Sequence, residues 1–182
     1  MAIDSTELAA GLESAFAARG FAEPGVDELR AAADVSLRTL YKYFPSREAM
    51  VLAALEHRHE RYMAHLFDEL PKSPQAALDA TLDRVATWMR ANAPRGCLFH
   101  SAVAAHPENE SLRALLARHK GEMADRMAKA AALPTARDDL LVLHEGLTQS
   151  WSLLDDRALI RVKSMARQLN GNEPMQFAGE SP

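Results

Sequence analysis

Apolar residues recur at three- and four-residue steps through nearly the whole chain, and this period predicts helix after helix. Leu8, Leu12 and Phe16 share one face of a first helix, and Gly20 suits the left-handed position that closes it, with Phe21 folding back as its apolar partner. Val26, Leu29 and Ala33 mark a short second helix, with Asp27 and Glu28 in its first turn, where negative charge complements the helix dipole. Ala33-Asp34-Val35-Ser36 reads as a tight turn. Ser36 is a good N-cap for a third helix over Leu37–Tyr43, which Pro45 terminates.

Ser46 caps a long fourth helix from Arg47, with Val51, Leu55, Tyr62 and Leu66 on one stripe and Met63, Phe67 and Leu70 on the next, until Pro71 and Pro74 break it. A fifth helix from Gln75 carries Leu78, Leu82, Val85 and Met89 and stops near Pro94-Arg95-Gly96. A short apolar piece, Cys97 to Ala105, precedes His106-Pro107. The next helix carries Leu112, Leu116, His119, Met123 and Met127 and stops near Leu133-Pro134. Leu140, Leu143, Leu147, Trp151 and Leu154 alternate three- and four-residue steps, as on a helix packed along another helix. Leu159, Val162, Ala166 and Leu169 repeat the theme after Asp155-Asp156. The expected fold is all-α, with about nine helices, a count natural for two linked bundles. The polar segment 171–182, with two prolines and two glycines, is expected to be a disordered tail.

Composition narrows the class. Aromatics make up 6% of the 182 residues and β-branched runs are absent, which disfavours sheet. No Gly-rich phosphate loop is present, and no apolar run approaches the roughly 18–20 residues of a membrane span. The start, MAIDSTELAA, lacks the basic-then-apolar pattern of an export signal, so a cytoplasmic location is expected, with no membrane partner. The single cysteine, Cys97, excludes an intramolecular disulfide and reads as a small buried apolar residue.

The formal net charge of −4 does not by itself suggest a nucleic-acid partner. Locally the picture differs. Residues 1–66 hold 7 Lys/Arg against 10 Asp/Glu, yet Val35 to Arg47 contains Arg38, Lys42 and Arg47 and no acid. Tyr41 and Tyr43 interleave with them as hydroxyl donors. Helix, helix, tight turn, short helix is the layout of a helix-turn-helix, and a short cationic helix with an apolar inner face fits a major groove about 12 Å wide. A solvated helix face with ordinary tyrosines is the alternative.

The run Ala33-Asp34-Val35-Ser36-Leu37-Arg38-Thr39-Leu40-Tyr41-Lys42-Tyr43-Phe44-Pro45-Ser46-Arg47-Glu48, with Ala17-Ala18-Arg19-Gly20-Phe21 and Val26-Asp27-Glu28-Leu29 before it, resembles the N-terminal domain of TetR-family transcriptional regulators over about the first third of the chain. Gly96-Cys97-Leu98-Phe99 and His106-Pro107-Glu108 resemble one C-terminal subgroup of that family. The resemblance implies an N-terminal three-helix helix-turn-helix domain at 1–46 and a C-terminal helical bundle at 47–170 that binds a small effector and forms a homodimer. It implies double-stranded operator DNA as partner, met by Ser36, Arg38, Thr39, Tyr41, Lys42 and Tyr43 of the recognition segment and by Arg47 at a phosphate. Leu40 and Phe44 would be core. Five positions depart from the family pattern: Asp34 where glycine is usual, Pro24 and Gly25 where a hydroxyl pair is usual, Leu37 where a base is common and Arg38 where a small residue is common.

In the bundle, Trp88, Met89, Phe99, His100, Val103, His119, Met123 and His144 are expected either to line an effector pocket or to be plain core. The apolar stripes of the last two helices (Leu140, Leu143, Leu147, Trp151, Leu154, Leu159, Val162, Ala166 and Leu169) are expected to form the dimer interface. His57, His59 and His65 lack the i, i+4 spacing of a zinc helix, so no metal and no other cofactor is expected. No nucleophile, base and orienter can be picked out, and an enzyme is not expected. The contrasting classes are a regulator-like scaffold without DNA binding, which Asp34 and Pro24-Gly25 would favour, and a helical enzyme, which would turn over its ligand.

Overall fold

The computed structural model describes residues 4–93 and 95–169, so the expected tail at 171–182 lies outside the described residues. Among them the chain is all-helical: α1 (Ser5–Arg19), α2 (Val26–Ala32), α3 (Leu37–Tyr43), α4 (Arg47–Phe67), α5 (Pro74–Asn92), α6 (Leu98–Ala105), α7 (Glu110–Ala130), α8 (Arg137–Leu154) and α9 (Asp156–Leu169), with a 3₁₀ turn at Pro134–Ala136.

Local chemistry sets the boundaries. Asp4, Ser36, Ser46 and Asn109 each accept a hydrogen bond from a backbone N–H one turn into the helix that follows. Gly25 has no side chain to cap α2, and the Glu28 carboxylate turns back to accept from its N–H at 3.0 Å. Gly20 closes α1 at φ 79°, and the rings of Phe16 and Phe21 stack 4.9 Å apart. α4 ends at Phe67, four residues before the first proline. Arg84 of α5 accounts for this: its guanidinium donates to the carbonyls of Leu66 (3.1 Å), Asp68 (2.5 Å) and Glu69 (3.4 Å), while Glu69 turns out of the helix at φ 51°. A cation on the last carbonyls is the favourable partner for a helix C-terminus.

Two apolar cores result. One joins Leu8, Leu12, Phe16, Leu29 and Leu40 to Met50, Val51, Ala54 and Leu55 of α4 and reaches Phe99, Leu112 and Leu115. The other joins Tyr62, Met63 and Leu66 of α4 to α5, α7, α8 and α9. α4 therefore runs through both. Gly11 lets α1 lie directly on the end of α2: a Cβ there would stand 2.2 Å from the Ala32 carbonyl oxygen.

Candidate DNA-reading face and effector cavity

α3 presents two faces of opposite character. Leu40 is fully buried under it and Phe44 closes its end, whereas Leu37 (39% exposed), Arg38, Tyr41 (43% exposed) and Lys42 form the outward face. Asp34 takes φ 52° in the turn, and Arg30 reaches the Val35 carbonyl at 3.4 Å. An aspartate tolerates this left-handed position, as the glycine it stands for would. Thr39 is half-buried, its N–H and hydroxyl both engaged with Ser36 Oγ at 3.1 and 2.8 Å. Tyr43 is also half-buried, packed on the N-terminal core with Lys42 Nζ 5.8 Å from its ring centre.

Arg47 does not stand free for a phosphate. Its two terminal nitrogens donate to the carbonyls of Pro24 (2.8 Å) and Phe21 (2.7 Å), and its guanidinium carbon sits 5.9 Å from the Phe16 ring centre. It pins the α1–α2 loop, whose carbonyls have no helical partner of their own.

A second site lies in the bundle, where a small cavity of about 20 Å³ is bounded by side chains of α4, α5, α6, α7 and α8. Trp88, Met89, Phe99, His119 and His144 line it, as do Tyr62 of the α4 stripe and Arg58 and Lys120, which sequence periodicity does not single out. Such a volume holds about one water. His100, Val103 and Met123 lie elsewhere: His100 on Glu145, Val103 against the N-terminal core, and Met123 fully buried within the bundle.

The cavity wall is held by polar chains. The Tyr62 hydroxyl lies 2.7 Å from His144 Nε2, and His144 Nδ1 is 3.4 Å from Glu145 Oε1, an electrostatic contact rather than an aligned hydrogen bond. With Glu145 favouring a proton on Nδ1, the tyrosine donates to Nε2. Lys120 Nζ forms an ion pair with Glu145 Oε1 at 2.6 Å, out of hydrogen-bond alignment, so a buried ammonium keeps donors unused. Burial and then Lys120 lower the His144 pKa to about 4. Burial raises the Glu145 carboxyl, but His144 and Lys120 outweigh it and hold the pKa at about 2. Burial first, then Lys120, pushes His119 far below the ordinary imidazole value, and its ring stacks on Phe99 at 3.8 Å. His119 Nδ1 faces His59 Nδ1 at 2.9 Å, and His59 Nε2 meets Glu122 at 2.9 Å.

Next to the cavity, Glu13 of α1 is buried under three side chains of α4, Arg58, Arg61 and His57. Oε1 accepts from Arg58 and Arg61, both at 2.9 Å, and Oε2 lies 2.7 Å from His57 Nδ1. Arg58 also donates to the Asn92 carbonyl at 2.9 Å and lies 5.1 Å from the Trp88 ring centre. Burial lowers the Arg58 pKa despite Glu13.

On α8 and α9 most of the apolar stripe is used within the chain. Leu140, Leu143, Leu147, Trp151, Val162 and Ala166 are buried in the chain's own bundle, with Leu154, Leu159 and Leu169 packed at its margin. Three- and four-residue periodicity identifies a buried face and not what buries it. The exposed apolar residues are others: Val142 (68%), Leu153 (77%), Ile160 (64%) and Met165 (55%). Among the described residues no cluster of three or more His, Cys, Asp or Glu could hold a metal ion, and no helix is long and apolar enough to cross a membrane.

The fold defines a class, all-helical proteins in which a helix-turn-helix unit is joined through one long helix to a separate bundle. Residues 8–54 match the family model of bacterial regulatory proteins of the tetR family. No curated protein matches the chain in sequence. A TetR-family transcriptional regulator from Streptomyces coelicolor is 22% identical, with a TM-score of 0.78 over 91% of this chain and 88% of that one. A TetR transcription regulator from Haloarcula marismortui (14% identity, TM-score 0.74, 91% and 95% covered) and Escherichia coli NemR in its reduced form (19%, 0.73, 91% and 96%) share the same architecture. The chain carries the TetR-family helix-turn-helix module and has the fold of TetR-family transcriptional regulators.

Proposed function

We propose that the protein is a dimeric transcriptional repressor that leaves its operator when a small effector enters the C-terminal bundle. The observation that carries the reading is the outward face of α3: Arg38, Tyr41 and Lys42 exposed on a helix whose inner residue, Leu40, is fully buried. Arg38 and Lys42 offer charge to phosphates or guanine edges, Tyr41 a hydroxyl, and Leu37 an apolar surface for a thymine methyl. The cytoplasm is the matching location, and the protein acts as a binder rather than an enzyme.

Val142, Leu153, Ile160 and Met165 supply the apolar surface for a second copy, and Gly146 on the same side of α8 has open space around it. A dimer joined there would set two recognition helices about 34 Å apart on a near-palindromic site. An effector that favours a dimer of the wrong spacing shifts the population by its differential affinity, typically about 1–3 kcal/mol.

DNA recovered by genomic-fragment selection tests the first half. Lys42→Ala should weaken binding and reduce the log–log salt slope by about one unit. Arg47→Met should leave the slope unchanged and instead cost about 1–2 kcal/mol of stability, because two loop carbonyls lose their donors. No selected DNA at all would support the scaffold reading. The second half is read by sedimentation: Leu153→Asp with Ile160→Asp should give monomers whose operator affinity falls about a hundredfold, since the half-sites are no longer linked. A dimer that survives both charges would place the interface elsewhere.

A further inference from the structure

A second hollow, of about 200 Å³, lies where α1 meets the bundle, between Phe16 and Gly20 on one side and Asn92 and Gly96 on the other. Arg58, Ala93 and Leu98 border both this cleft and the small inner cavity, so the Arg58 side chain is part of the partition between them. Three guanidinium groups line the cleft. Arg19 is paired with Glu28, Arg95 donates to the carbonyls of Ala17 (2.8 Å) and Ala18, and Arg58 shares the single Glu13 oxygen that Arg61 also uses. Among the described residues, the three guanidinium groups of the cleft meet two carboxylates, Glu28 on Arg19 and Glu13 on Arg58, while Arg95 meets backbone carbonyls. Positive charge is in excess there.

We infer that the effector is a small aromatic carboxylate that enters by this cleft, and that its carboxylate takes Arg58 from Glu13 while its ring occupies the space opened between Trp88, Met89 and Phe99. The inference rests on the proposed effector-controlled regulator. Three observations carry it. The group displaced from Arg58 is itself a carboxylate, so a ligand carboxylate replaces like with like in the fork geometry a guanidinium prefers. Glu13 is not stranded by the exchange, because Arg61 and His57 still hold it. The inner cavity alone is too small for a ring, whereas a roughly 150 Å³ apolar cavity holds benzene. The cleft has that room, but Arg58 stands in the partition, so a ring reaches Trp88, Met89 and Phe99 from it when Arg58 moves. At the inner end, the unused donors of buried Lys120 add attraction for an anion.

The exchange also cuts a bond between the two cores. Arg58 ties α1 to the end of α5 through Glu13 and the Asn92 carbonyl, and a ligand on Arg58 loosens that tie.

Titration calorimetry of the full chain with benzoate and phenylacetate, each against its neutral amide, tests the ligand class. The acids should bind at least about tenfold tighter than the amides, a difference of about 1.4 kcal/mol. Equal binding of acid and amide, or no binding by either acid, would overturn the inference. Removing the buried pair together, Glu13→Leu with Arg58→Met, avoids stranding one charge. That variant should lose the preference for acids, and DNA retention should no longer respond to them. Undiminished preference in the double variant would also sink the assignment of Arg58. Should the wild-type chain select no DNA, the regulator reading fails by itself, while the acid–amide comparison still decides the ligand class.

Discussion

Gly11→Ala is expected to lower the unfolding free energy by about 3 kcal/mol, although alanine is the better helix former by about 1 kcal/mol. The two effects have opposite signs, and the steric one is the larger, so the net change is a loss. A Cβ at residue 11 would stand 2.2 Å from the Ala32 carbonyl oxygen, 2.8 Å from its carbon and 2.9 Å from Ala33 Cα. All three are backbone atoms, and no side-chain rotation relieves the contact. The α1–α2 pair must spread, which opens the core around Leu12, Leu29 and Leu40 and tilts the helix-turn-helix. Urea titration followed by circular dichroism reads the loss, and a variant as stable as the parent would mean that the two helices do not approach so closely.

Acid is expected to destabilise the protein by roughly 4 kcal/mol between pH 7 and pH 5, through two buried histidines. His144 has its pKa lowered to about 4 and His119 is pushed further down, while both return to about 6.5 on unfolding. Below pH 6.5 the unfolded chain therefore takes up two protons that the folded chain refuses. Stability is complete above that pH and falls by up to about 1.4 kcal/mol per unit for each histidine on the way to pH 4. Glu145, with a pKa of about 2 in the folded chain, remains ionised through this window and contributes its own loss only below about pH 4.5. Denaturation midpoints at pH 7, 6 and 5 check the slope. His119→Phe, a ring of similar shape against Phe99, should halve it. A midpoint independent of pH would mean that neither ring is kept neutral by the fold.

Much of the helix layout can be read from the amino-acid order because its determinants are local. Ser36, Ser46 and Pro45 bracket α3 within a few residues, and Gly20 with Phe21 closes α1. The outward turn of Tyr41 and Lys42 follows from the same short-range register once Leu40 is assigned to the core. What was hidden depends on residues distant in the chain. Arg47 looks like a phosphate contact until the loop carbonyls 23 and 26 residues earlier are seen against it. Glu13 sits on a helix of mixed pattern and reveals its burial only through partners 44 to 48 residues later. The glycine at 11 carries no local mark, since only the approach of α2 forbids a side chain. The stripe from Leu140 to Trp151 belongs to a helix–helix seam, as its spacing says, but the partner is the chain's own bundle. The apolar residues left exposed, Val142 and Leu153 among them, stand singly, separated along α8 by Gly146 and Gln149.

The clamp of Arg84 on the end of α4 has a mechanical result. With the carbonyls of Leu66, Asp68 and Glu69 tied to α5, that end of the 21-residue rod is its pivot. Arg58 lies about 14 Å from the pivot and Arg47 about 30 Å, at 1.5 Å per residue. A swing that moves residue 58 by 1 Å therefore carries residue 47, and the reading helix joined to it, by about 2 Å. In the proposed symmetric pair both arms would move, and the gap between the two helices would change by up to twice that, a misfit the fixed pitch of a duplex does not absorb.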